Sequence, residues 1–280
     1  MVIAPLLWST AGVVTRHIEA AGRFEIVFWR SLFAAAFVFA AWAVLTRENP
    51  LRAARATGWT GVASGAMWAV MFTAFMIALT LASTAGVLVT MSISPLLTAL
   101  AARLLLSDPV PLRTWIAALA ATAGLAWMFG AGFAAAGARE LAGMAVALLV
   151  PFAATTNVVM LRHAHARVDL VPAVMIGGAL SCLAALPLAL PFTASGRDLL
   201  LLALLGFFQL GLPCMLYVVA SRSLHAPQLA LLALLEVVLG PIWAWLGAGE
   251  VPARSTLAGG AVVLAALAGN ELAMLRTQRR

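Results

Sequence analysis

The sequence is cut by arginines, carboxylates, prolines and glycine clusters into ten apolar runs. They lie near 2–18, 25–46, 57–79, 82–106, 110–131, 141–164, 169–191, 198–222, 226–248 and 252–275. Each is close to the ~20 residues that a helix needs to cross ~30 Å of hydrocarbon. Only helices and closed barrels satisfy every backbone polar group inside lipid, and a barrel strand needs only ~9–11 residues of alternating polarity. Runs of this length are therefore predicted to be helices. With 64% of residues hydrophobic and 10% charged, little chain remains for a soluble domain. The expected fold is an all-α membrane protein of ten transmembrane helices. The third and fourth runs are parted only by Thr80 to Ala82, which predicts a tight hairpin. The first run lacks a basic leader and a small-residue cleavage site, so it is expected to be retained as a helix.

The order of the runs contains a second regularity. Pro5, Thr10, Val13, Arg16 and His17 recur with the same spacing at Pro151, Thr156, Val159, Arg162 and His163. Proline, arginine and histidine are scarce here, so the match reads as an internal repeat. Further on, the segment from Ala78 to Trp115 aligns with that from Ala220 to Leu257, which pairs Ser94 with Glu236 and Asp108 with Glu250, and the same offset pairs Phe75 with Tyr217. The chain accordingly divides into a first five-helix repeat, 1–136, and a second, 137–280. Five is odd, so the second copy enters the membrane from the opposite side, giving a 5+5 inverted-topology repeat.

Arginine supplies all 17 basic residues and the formal charge is +7. With both termini cytoplasmic, the inside collects Arg47, Arg52, Arg55, Arg103, Arg113, Arg162, Arg167, Arg222, Arg276, Arg279 and Arg280. The outside then holds Arg16, Arg23, Arg139, Arg197 and Arg254. This excess follows the positive-inside rule. The arginines form no basic stripe interleaved with aromatics, so the lipid bilayer explains them better than a nucleic acid. Cys182 and Cys214 lie in separate apolar runs without ligand spacing and read as small buried hydrophobes. His163 and His165 read as a solvated helix end. No cofactor or metal site is expected.

Polar and aromatic side chains within spans are the candidates for function. Trp8 and Asn157 fall on equivalent faces of the first and sixth helices, suiting a cavity wall that is apolar in one half and hydrogen-bonding in the other. Asn157 as interhelical glue is the alternative. Trp68, Phe72 and Phe75 share one face of the third helix, and Gln209 and Tyr217 one side of the eighth. Aromatic rings with one phenol and one carboxamide would orient a planar or amphipathic molecule. Glu236 stands near the middle of the ninth run, where a carboxyl must be paired, wetted or protonated. It is a candidate proton carrier or hydrogen-bond donor, opposite Ser94. Arg30 lies near the start of its run and is expected to snorkel outward as an anchor paired with Glu25 or Glu19. Prolines 5, 95, 151, 213 and 241 predict helix bends. Gly61, Gly65, Gly124, Gly177 and Gly178 predict close helix contacts.

Taken in order, Phe28-Trp29-Arg30, Ser94-Pro95, Leu234-Leu235-Glu236 and the acidic span ends Asp108 and Glu250 resemble the drug/metabolite transporter superfamily, EamA type, across the whole chain. Phe207-Phe208-Gln209 is similar to its aromatic amino acid exporters. One departure is Val237, where that family usually has proline; with Pro241 four residues on, the bend is expected to be displaced. The resemblance implies a secondary transporter in a bacterial inner membrane, exporting amino acids, perhaps aromatic, or amphipathic drugs by alternating access. Its partners would be a small-molecule substrate and the bilayer. An intramembrane enzyme would need paired intramembrane aspartates or an HExxH or GxSxG sequence, which the runs lack. A channel or accessory membrane protein is the other alternative. No Walker sequence is present.

Overall fold

A computed structural model describes residues 1–15, 17–82, 84–134, 137–164, 168–248 and 254–278. Arg16, Ala136, His165, Arg167, Glu250, Arg279 and Arg280, on which parts of the sequence reading rest, lie outside the described residues. Among the described residues the regular structure is helical throughout. Ten spans follow in order: span 1 (Ile3–Trp8 and Ala11–Thr15), span 2 (Arg23–Thr46), span 3 (Gly58–Leu81), span 4 (Thr84–Met91 and Ser94–Leu105) and span 5 (Leu112–Ala134). The second half continues with span 6 (Ala138–Ala147 and Leu149–Ala164), span 7 (Val171–Ala189), span 8 (Gly196–Ala220), span 9 (Ala226–Ala233 and Leu235–Ala248) and span 10 (Arg254–Gln278). A short helix, Pro50–Ala56, links spans 2 and 3, its first turn capped by Asn49 Oδ1, which accepts from the amides of Leu51 and Arg52 at 2.9 and 3.3 Å. Span 3 stops at Ala82, whose extended backbone (φ −124°, ψ 161°) turns the chain back into span 4. The protein is an all-helical, multi-pass membrane protein with two five-span repeats.

The packing obeys a simple exchange. Span 2 packs on span 7 and span 5 on span 10. Span 3 contacts spans 6 and 7, just as span 8 contacts spans 1 and 2, and span 4 contacts span 6 as span 9 contacts span 1. In these pairs, replacing each span by the one five places later returns another of the same pairs. That is what a two-fold axis between halves of opposite entry produces.

Span 7 is wedged between spans 2 and 3 because Gly177 and Gly178 have no side chains. A Cβ on Gly178 would lie 2.9 Å from the carbonyl oxygen of Ser31, and one on Gly177 would lie 2.4 Å from Trp68 Cβ. Three hydroxyls then join the helices, Ser181 being 2.9 Å from both Ser31 and Thr73. Gly65 and Gly124 also mark close contacts, against Ile176 and the carbonyl of Gly259. Gly61 does not. The space beside it is taken by the side chain of Thr57, one turn earlier in its own helix.

The interruptions are placed by local chemistry. In span 1 the hydroxyls of Ser9 and Thr10 donate back to the carbonyls of Leu6 and Leu7, both at 2.7 Å, and the helix parts after Trp8. Span 6 parts at Leu148, three residues before Pro151. Span 8 widens into a π-helical turn, Leu205–Gly211, ahead of Pro213, which has no N–H to give to the Gln209 carbonyl. Span 4 breaks before Ser94-Pro95, where Thr122 of span 5 donates to the Ser92 carbonyl at 3.0 Å. Span 9 breaks at Leu234, the counterpart of Ser92, although no proline stands there; tight turns close it, with Leu234 N–H on Leu231 and Val237 N–H on Leu234, each at 3.0 Å. The bend expected to move with Pro241 has therefore stayed in register with its partner in the first half.

Candidate functional site

Spans 1, 2, 3, 4, 6, 8 and 9 surround a cavity of about 150 Å³, and no described residue of spans 5, 7 and 10 lies in its wall. In an apolar protein interior a void of that size admits a benzene-sized ring. Its position follows from the helix breaks, which keep the half-helices of spans 1, 4, 6 and 9 from closing against one another. Trp8, Trp68, Phe72, Ser94, Asn157, Gln209, Tyr217 and Glu236, the residues singled out from sequence, all line it, together with Phe75.

One side is aromatic. Tyr217 stands between two indoles, 5.7 Å from Trp8 in a tilted arrangement and 6.0 Å from Trp68 edge to face. Trp68 in turn lies 5.6 Å from Phe72. The three residues from spans 3 and 8 are almost fully buried and continue into the main hydrophobic core. Such rings offer flat surfaces at centroid separations suited to stacking.

The polar groups are sparse and held from behind. Gln209 Nε2 donates to the Trp8 carbonyl at 3.4 Å, an acceptor set free because span 1 is interrupted there. Asn157 Oδ1 accepts from Ser64 at 2.6 Å, so the carboxamide is fixed by span 3, while its Nδ2 has no partner among the described residues. Trp68 Nε1 is likewise buried and unpaired. Neither Glu236 nor the Tyr217 hydroxyl has a hydrogen-bond partner among the described residues.

Arg30 departs from the sequence expectation. It does not snorkel outward and pairs with neither Glu25 nor Glu19. Its side chain, 2% exposed, turns into the cavity wall, where it donates to Gln209 Oε1 at 3.4 Å and to the Phe72 carbonyl at 3.2 Å; its Nε has no acceptor. The reason is helical geometry: a separation of five residues places Glu25 and Arg30 on different faces of span 2. Glu25 instead accepts from the amides of Thr193 and Ala194 and from Trp29 Nε1, and Glu19 faces Arg197 at 3.4 Å near the surface. The absence of a side chain at Gly206 lets span 8 approach so closely that an added Cβ would lie 2.8 Å from the Arg30 carbonyl. That contact brings Gln209 within reach of the guanidinium. Cys214, buried as expected, also lines the cavity, a position its apolar surroundings in the sequence did not reveal.

Comparison with known proteins agrees with this geometry. The family model described as the EamA-like transporter family matches residues 1–130 and, a second time, 141–270. Among 28 solved chains that match, one described only as a crystal structure of a protein has a TM-score of 0.82 and 21% identity. It covers 97% of this chain and 96% of its own, a likeness of fold alone. No curated protein matches the sequence.

Proposed function

Because the chain belongs to the EamA-like transporter family, a family of membrane transporters of small molecules, we propose that the cavity is the transit site of a secondary transporter. In this reading small organic metabolites, amino acids or amphipathic drugs are exported across a bacterial inner membrane. Both termini are cytoplasmic, and residues 1–136 and 137–280 rock against each other.

The observation that carries the reading is that the wall is drawn from both repeats and that several of the polar groups of its residues have no partner among the described residues. A packed structural core satisfies such groups. A cavity that must release its occupant to water leaves them for the substrate. The exchange symmetry of the span contacts supports alternating access, since two equivalent halves can take up each other's conformations.

The test is a ligand-stabilisation screen of purified protein against amino acids, nucleobases and cationic drugs, followed by flux in proteoliposomes. A stabilising compound that is also carried, with Gln209→Ala weakening its binding while expression and melting stay near wild type, is the expected result. If Gln209→Ala merely unfolds the protein, the carboxamide joins spans 1 and 8 and has no part in the substrate site.

A further inference from the structure

Three cavity-lining residues, Arg30, Trp68 and Asn157, carry a buried N–H donor without a hydrogen-bond partner among the described residues, at Nε, Nε1 and Nδ2 respectively. Arg30 has five N–H bonds to give, yet it makes only two long contacts, to a neutral carboxamide oxygen and a backbone carbonyl. No carboxylate lies within 4.0 Å of it among the described residues, although Glu236 lines the same cavity. A guanidinium taken so far out of water is costly unless an anion or strong acceptors complete its shell. The protein supplies only part of that shell.

The missing part must therefore be rich in acceptors and negatively charged, and the wall beside it is flat and aromatic. We propose that Arg30 is the anion-binding pole of the cavity and takes the carboxylate of a planar, amphipathic monocarboxylate, whose ring lies among Trp8, Trp68 and Tyr217. The Nε–H, buried and unpaired among the described residues, and a neighbouring terminal N–H would form the planar fork that matches the two oxygens of a carboxylate once the guanidinium turns to the ligand. Gln209 fixes the guanidinium from span 8 and Phe72 from span 3. Both anchor groups are uncharged, so the positive charge stays available to the ligand. The proposal rests on the reading of the cavity as a transit site and adds the charge of what passes through it.

Three probes that share a phenyl ring separate the possibilities: 3-phenylpropionate, L-phenylalanine and phenethylamine. Binding is measured by equilibrium dialysis with the full-length protein in lipid nanodiscs. The two carboxylates should bind, and phenethylamine at least about tenfold more weakly, the cost of losing a charge-assisted contact. Gln209→Glu places a carboxylate beside the guanidinium without changing side-chain size. It should weaken both carboxylate probes at least about tenfold and leave phenethylamine no weaker. Should that variant fail to fold, Arg30→Lys keeps the charge and removes the fork. It should weaken 3-phenylpropionate more than phenethylamine. Phenethylamine binding as tightly as the carboxylates, or carboxylate affinity unmoved by both variants, overturns the anion pole and leaves the transit site standing. If none of the three probes binds, the anion pole and the aromatic transit site fall together.

Discussion

Two residues in the cavity wall, Glu236 and Asn157, make separate forecasts. Glu236 is a carboxyl at the head of the second half of span 9, without a hydrogen-bond or ion-pair partner among the described residues. If it carries a proton during transport, Glu236→Gln should abolish the pH dependence of flux in proteoliposomes and leave substrate affinity within about threefold, since the amide keeps the shape of the neutral acid. Unchanged pH dependence removes it from the mechanism. Asn157 makes a different forecast. Its Oδ1 is held by Ser64, so Ser64→Ala should unfix the carboxamide and lower the melting temperature by about 2 °C, the cost of a buried hydrogen bond of ~1 kcal/mol. An unaltered melting curve would mean that the carboxamide is fixed by something else. The eight cavity residues were legible because polar and aromatic groups within apolar runs have few other reasons to be there. Arg30 was misjudged because its distance from the span end was weighed and its face of the helix was not. The five-residue spacing from Glu25 already excluded the pairing expected of it.

At the scale of the helix, the chain fixes its close contacts with glycine and its breaks with proline or hydroxyls. Gly178→Val should lower the melting temperature markedly, because its Cβ would press on the Ser31 carbonyl at 2.9 Å and on Ala35 at 3.0 Å, an overpacking worth ~1–3 kcal/mol. Gly12→Ala, with nothing within 4 Å of the added carbon, should leave stability unchanged or raised. Similar losses from both would show that the contact with span 2 does not set the cost at Gly178. Ten spans and the tight reversal at Ala82 could be read from hydropathy alone, since run length and hairpin spacing are local properties. The break at Leu234 could not. No proline marks it, and only its equivalence to Ser92 in the other half, a long-range property, gives it a place.

For the whole molecule, the orientation proposed from the arginines is open to direct measurement. A reporter fused at Gly137 should score periplasmic and one fused after Arg280 cytoplasmic, and both on one side would refute the five-plus-five scheme. The two ends of the bundle are also fastened differently. At one, Glu25 and Asp198, each 1% exposed, accept backbone amides of the 190–195 and 19–20 loops. At the other, Arg222 meets Asp169 at 2.6 Å and Arg162 meets Asp108 at 3.8 Å, both pairs partly open to water. Counterions shield exposed ion pairs over a Debye length of ~10 Å at 0.1 M salt and reach buried carboxylate–amide contacts far less. Ionic strength should therefore loosen one mouth of the protein and spare the other. Hydrogen exchange in nanodiscs at low and high salt would register this as faster exchange at 106–111 and 221–225 than at 19–22 and 190–195. An equal response at both ends would mean that these fastenings do not hold the mouths shut. Where salt loosens one end and spares the other, the surrounding electrolyte acts as a thermodynamic bias on which side of the membrane the protein faces, set by latches that the two halves do not share.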